Sequence, residues 1–196
     1  MALPIVFQPE LRRALEQLGR GKFITMHPVT SGAEEYKKMI DELVRCTQVL
    51  SQNRIGALIV YEKSTGIQEF IETGIKIDGV VSTEFLVNIF VPKSPLHDGA
   101  VIIRGDRVAA AGCFLPLTQD TGVEKELGTR HRAALGLTEV SDAIVIVVSE
   151  ETGVISTARN GQLARHHDEK TLRDLLRNEI LVDKASGYIH NPFFRR

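Results

Sequence analysis

The sequence predicts an α/β domain of the α+β-like kind: one unit with a central mixed β-sheet flanked by helices. Three observations lead there. Short apolar runs bounded by turn residues read as strands, and stretches of helical period lie among them. Some strands are joined directly as hairpins, with no strict β-α-β alternation. Neither a repeat nor a low-complexity tract divides the 196 residues, a length ample for one hydrophobic core. With 24 Lys and Arg against 25 Asp and Glu, the net charge is −1, which lacks the basic footprint of a dedicated nucleic-acid binder. Two cysteines, Cys46 and Cys113, form neither a disulfide framework nor a C-x-x-C pair. No apolar run approaches the ~20 residues that span a bilayer, and no secretory signal is present. Composition therefore predicts a soluble, reduced, cytoplasmic chain.

An apolar stub, Met1 to Phe7, opens the sequence. Pro9 suits a first helical turn, and Leu11, Leu15 and Leu18 recur at helical spacing before Gly19 and Gly21. With Arg12, Arg13, Arg20 and Lys22, this segment reads either as a capped amphipathic helix or as the cytoplasmic flank of a membrane helix. Ser31 and Glu34 form a capping box. Tyr36, Met39, Ile40, Leu43, Val44, Thr47 and Leu50 then mark a helix ending near Asn53, with Cys46 as a small buried hydrophobe at the edge of that face. Ala57 to Tyr61 reads as a buried strand, Gly74 to Gly79 as a loop or short strand, and Thr83 to Phe90 as a helix stopped by Pro92 and Pro95. Ala100 to Arg104 and Arg107 to Leu115 form a hairpin about Gly105-Asp106. Thr129 to Val140 is helical, Ala143 to Ser149 is the most apolar strand, and Val154 to Ala158 returns beside it. A last helix runs from about Thr171 to Leu181, and the residues from Asp183 onward read as a tail.

Chemistry concentrates in three polar clusters. In Leu96-His97-Asp98-Gly99-Ala100, a carboxylate precedes two residues with almost no side chain. That is either a D-G turn or a place where a ligand approaches backbone closely, with Asp98 and His97 as metal or proton partners. In Leu127-Gly128-Thr129-Arg130-His131-Arg132, a hydroxyl and two guanidinium groups gather at a helix start with Thr129 as the expected N-cap. A positive pair there opposes the helix dipole unless an anion such as phosphate is bound. Arg130 and Arg132 diverge by roughly 200° on a regular helix, so both cannot lie flat on one phosphate. The third cluster, Ser149-Glu150-Glu151-Thr152-Gly153, ends the most apolar strand and reads as a polar turn or as part of a ligand site. His166-His167 reads as a solvated pair, and the six histidines form no metal-ligand set.

Together the D-G-A of Asp98-Gly99-Ala100 and the R-H-R of Arg130-His131-Arg132 resemble the diadenylate cyclase (DAC) domain over about residues 23–181, with the N-terminal segment similar to the junction after the membrane helices of the CdaA-type enzymes. The resemblance implies a juxtamembrane remnant at 1–22, a catalytic domain at 23–182 and a tail at 183–196. It implies condensation of two ATP into cyclic di-AMP by a homodimer or higher oligomer, with Mg²⁺ or Mn²⁺. Asp98 would act at the attacking hydroxyl, Gly99 and Ala100 would admit ribose and phosphate, and Thr129, Arg130, His131 and Arg132 would serve the phosphates. His97 would join Asp98 at the metal, Ser149 and Glu151 would lie near phosphates or metal, and Leu115 would line the adenine pocket through its backbone. The native enzyme would work at the cytoplasmic face of the membrane, with a membrane regulator and a phosphoglucosamine mutase as partners and no nucleic acid. Two other readings compete: a non-catalytic adenine-nucleotide sensor, which would not need Asp98, and a membrane-flank scaffold.

Overall fold

A computed structural model describes residues 29–120 and 127–189. The segment expected as an N-terminal helix lies outside them. Helix α1 (Val29–Gln52) leads into strand β1 (Ala57–Glu62), a one-turn helix α2 (Gln68–Ile71), strand β2 (Ile75–Val80) and helix α3 (Thr83–Phe90). The hairpin β3 (Ala100–Arg104) and β4 (Arg107–Cys113) precedes helix α4 (Thr129–Val140), then strands β5 (Ile144–Val148), β6 (Ile155–Arg159) and β7 (Gln162–Arg165), and helix α5 (Glu169–Ile189). The seven strands form one sheet in the order β2-β4-β3-β1-β5-β6-β7. β1 and β3 pair in parallel, and every other neighbouring pair is antiparallel.

The sheet is a middle layer because its central strands bury both faces. All six residues of β1 are buried. Ile59 and Tyr61 point to one core with Leu43, Val44, Leu86, Phe90, Leu172 and Leu176 of α1, α3 and α5. Leu58 and Val60 point to the other with Ile67 just before α2, Ile71 of α2, and Ala133, Ala134 and Leu137 of α4. This alternation follows from the two-residue period of a strand. Cys46 is fully buried, and desolvation raises its thiol to about 12, so it packs as a small hydrophobe. Thr83 ties α3 to α1, donating from its N and Oγ1 to the Glu42 carboxylate at 2.8 and 2.7 Å.

Several elements differ from the sequence reading: β4 ends at Cys113 rather than Leu115 and α5 starts at Glu169 rather than Thr171, and the larger differences have local reasons. Helix α1 is already formed at Val29, upstream of Ser31, and Glu34 pairs with Lys37 at 2.7 Å. The one-turn α2 is too short to show a period. β7 closes a two-residue hairpin at Asn160-Gly161, both with positive φ (49° and 70°), the geometry that an N-G pair favours. α5 continues past Leu181 to Ile189, into the expected tail, because helix propagation is cooperative through good formers such as Lys184 and Ala185.

Gly136 fixes how closely the segment after β4 lies on α4. A Cβ built there would stand 2.3 Å from the Pro116 carbonyl oxygen and 2.7 Å from the Thr118 nitrogen. In an exposed helix Gly→Ala stabilises by about 1 kcal/mol. Here the clash decides the sign. Gly136→Ala is expected to destabilise the fold by about 1–3 kcal/mol, measured as a lower urea midpoint with unchanged slope.

Candidate active site

Strand polarity gathers the three clusters. Because β1 and β3 run parallel while β4 and β5 oppose them, the starts of β1 and β3 share one sheet edge with the ends of β4 and β5. The registers Ala100↔Cys113, Ala57↔Val148 and Val148↔Ile155 define that edge. Along it stand Asp98 and Gly99 before β3, Leu115 after β4, Gly56 before β1 and Ser149 to Gly153 after β5. α4 begins at the same edge.

Asp98 is exposed and Gly99 half-buried. Gly99 has φ +116°, and a Cβ there would come within 2.7 Å of the Gly112 carbonyl carbon and 2.9 Å of the Cys113 oxygen. Glycine is thus required to start β3 this close to the end of β4. His97 is half-buried, with Nδ1 2.6 Å from the Ser94 carbonyl oxygen. A carbonyl only accepts, so Nδ1 carries the proton, and in the neutral ring Nε2 keeps its lone pair. Leu115 packs its side chain at the margin of the α4-side core, which leaves its main chain at the edge.

The start of α4 departs from expectation. Gly128 is the N-cap and Thr129 the first helical residue, with no side chain capping the end. The Gly128 carbonyl accepts from the nitrogens of His131 and Arg132 at 3.1 and 3.2 Å. Thr129 and Arg132 are exposed, whereas His131 is only 7% exposed. Desolvation, then the positive charges of Arg165 and Arg130, lower its pKa and hold it neutral at pH 7. His131 therefore sits beneath the helix start, while Arg130 turns to the sheet edge and donates through Nη1 to Glu150 Oε2 at 2.7 Å. Arg132 offers its carbonyl to the Thr118 nitrogen at 3.0 Å.

After β5, Ser149 Oγ accepts from the Thr152 nitrogen at 3.3 Å, and the Ser149 carbonyl accepts from the Gly153 nitrogen at 2.9 Å. The turn is anchored on α1 by Ser51, which donates to the Gly153 carbonyl at 2.6 Å. Glu151 lies exposed on this turn. The acid brought to Arg130 is Glu150, a choice that an adjacent pair of glutamates does not reveal in sequence. Among the described residues no group of three or more His, Cys, Asp or Glu sits together as a metal cage. The adjacent donors His97 and Asp98 fit a divalent cation of the kind held by one carboxylate and mostly by substrate phosphates.

A polar groove of about 450 Å³ lies elsewhere, between α1 and α5, lined by Asp41, Arg45, Gln48, Glu169, Arg173 and Arg177. Its guanidinium groups bond within it, Arg173 to Asp41 at 3.1 Å and Glu169 at 2.8 Å, and Arg177 to Asp41 at 3.3 Å. The two pairs with Asp41 join α1 to α5 on the face opposite α4, so the groove is distinct from the sheet-edge site.

The family model described as DisA bacterial checkpoint controller nucleotide-binding (DAC) matches residues 44–163. The chain is 50% identical over 180 residues to the cyclic di-AMP synthase CdaA of Bacillus subtilis, covering 92% of this chain and 66% of that protein. It thus spans about two thirds of the length of that curated relative. Among solved structures, a double cysteine mutant of DacA from Staphylococcus aureus superposes with TM-score 0.73 at 47% identity, covering 74% of this chain and 97% of that one. A structure described as a hypothetical membrane spanning protein from Bacillus cereus matches with TM-score 0.63 at 45% identity, over 65% of this chain and 62% of the other. The mixed sheet, the two motifs at its edge and these likenesses agree: the chain belongs to the diadenylate cyclase (DAC) family.

Proposed function

We propose that this chain condenses two ATP molecules into cyclic di-AMP and releases two pyrophosphates. The observation that carries this reading is the placement of Asp98-Gly99-Ala100 and of Thr129 to Arg132 along one sheet edge, in a chain half identical to a named cyclic di-AMP synthase. The Asp98 carboxylate, exposed at the start of β3, accepts the proton of the attacking 3′-hydroxyl. The new bond joins that oxygen to the partner nucleotide's α-phosphorus, and the bond to pyrophosphate breaks. Gly99 and Ala100 let ribose and phosphate lie against the backbone. Thr129 and Arg130 meet phosphate at the uncapped start of α4, where the helix dipole favours negative charge. His131, buried and neutral, supports that turn from below, and the exposed Arg132 lies on its outer side. Main-chain groups at Leu115 face the adenine. Ser149 and Glu151 shape and charge the turn beside the phosphates. His97 Nε2 and Asp98 would hold Mg²⁺ or Mn²⁺, which when bound screens phosphate charge and polarises the α-phosphate.

Each nucleotide's hydroxyl must reach the other's phosphate, so the two ATP molecules lie head to tail. One site per chain meets this requirement when two copies face each other about a two-fold axis. Holding both reactants in line supplies much of the rate, as is general in phosphoryl transfer. Residues 1–22 are read as the flank of a membrane anchor, which would set the enzyme at the cytoplasmic face and raise the effective concentration of one site for another. Among the described residues no helix is long and apolar enough to cross a membrane. A membrane regulator and a phosphoglucosamine mutase belong to the same reading as protein partners.

Incubation with ATP and Mg²⁺ or Mn²⁺, followed by mass spectrometry, is expected to yield cyclic di-AMP. ATP binding without product under either metal would favour a nucleotide sensor instead. Asp98→Asn is expected to lower product formation by at least about 100-fold while ATP binding, read by calorimetry, stays within a few-fold; an active variant would remove Asp98 from the reaction. Specific activity should rise with protein concentration in the dilute range. A flat profile from a protein shown to be monomeric would defeat the face-to-face arrangement.

A further inference from the structure

We infer that Glu150 is a positioning residue for Arg130, and that Gly56 supplies the space in which the pair is set; this rests on the reading of the sheet edge as a nucleotide site. Glu150 holds Nη1 of Arg130 at 2.7 Å, with the Arg130 side chain 25% exposed and that of Glu150 61% exposed. The pair lies directly on the backbone before β1. A Cβ added to Gly56 would stand 2.6 Å from Arg130 Nη1, 2.8 Å from its Cζ and 2.9 Å from Glu150 Oε2. Any other residue at 56 would therefore displace the guanidinium.

A guanidinium has five N–H donors in a rigid fork. The bond to Glu150 engages one nitrogen and sets the plane of the group, so Nε and Nη2 keep the edge on which phosphate is taken in two parallel bonds. Strand order says where that edge leads. β1 lies between β3 and β5, so Asp98, just before β3, and Glu150, just after β5, adjoin strands about 10 Å apart. Phosphate reaching from the Asp98 end toward α4 meets the Arg130 guanidinium over the start of β1, where the missing side chain of Gly56 leaves room for it. Glu150 acts on phosphate through Arg130 and takes no part in bond making.

A double-mutant cycle tests this, run both on kcat/KM for cyclic di-AMP and on ATP dissociation constants. Glu150→Ala is expected to lower kcat/KM and weaken ATP binding by about 5- to 20-fold in the wild-type background. In the Arg130→Ala background the same change should shift neither by more than twofold, because coupled residues are non-additive. Glu150→Gln, which keeps an acceptor for Nη1, should recover most of the loss. Equal losses in both backgrounds would mean a structural role, and tighter ATP binding in Glu150→Ala would mean that the carboxylate competes with phosphate; either result overturns the proposal. Wild-type protein that binds ATP without forming product would defeat the proposed activity, yet the cycle on dissociation constants would still judge Glu150.

Discussion

The parallel pairing of β1 with β3 is the constraint on which the rest depends. In an otherwise antiparallel sheet it turns two strand starts toward the same edge and brings the ends of their antiparallel neighbours to meet them. A hairpin cannot make such a pair, because the chain must return to the starting edge by a crossover. Here the crossover is α2, β2 and α3, all placed between β1 and β3 in the chain. It contributes Ile67 and Ile71 to one core and Leu86, Ile89 and Phe90 to the other. Burial of each such side chain contributes about 1.5–3 kcal/mol, so the connection that sets the geometry of the edge also stabilises both layers.

Once the edge exists, its chemistry is a matter of charge in a small space. The whole chain carries a net charge of −1, yet the start of α4 gathers Arg130 and Arg132 with no acid in its first turn. That arrangement opposes the helix dipole. The opposition is relieved locally: Glu150 pairs with Arg130, and His131 stays neutral because burial and two neighbouring guanidinium groups disfavour its proton. The carboxylate that answers Arg130 comes from the turn after β5, and the space for both comes from Gly56 ahead of β1. Three elements remote in sequence thus share one small volume.

Much of the fold was legible because its signals are short-range. Thr83–Phe90 and Thr129–Val140 have the bounds expected from their spacing and stop signals. The hairpin about Gly105-Asp106 forms as expected, with Arg104 opposite Arg107. β7 carried a legible signal that the sequence reading passed over, since Asn160-Gly161 is a strong two-residue turn pair. Ser31 was misleading because a capping-box pattern also fits inside a helix when its acid has a lysine three residues on. Thr129 misled in a similar way, because a hydroxyl residue next to glycine fits the cap position and the first helical position about equally well in one dimension.

The site divides along the same line. Sequence by itself determined the identities: a carboxylate before two minimal residues, a basic helix start, and an acidic turn after the most apolar strand. These are properties of contiguous residues, governed by backbone freedom, dipole and side-chain charge. Only the tertiary structure decided how they combine. It chose Glu150 over Glu151 for Arg130, sank His131 into the core while leaving Arg132 outside, and gave Gly56 a purpose that no local pattern marks. Those outcomes depend on which strand ends are neighbours, and pairing between strands distant in sequence is set by burial of both sheet faces together rather than by any one segment.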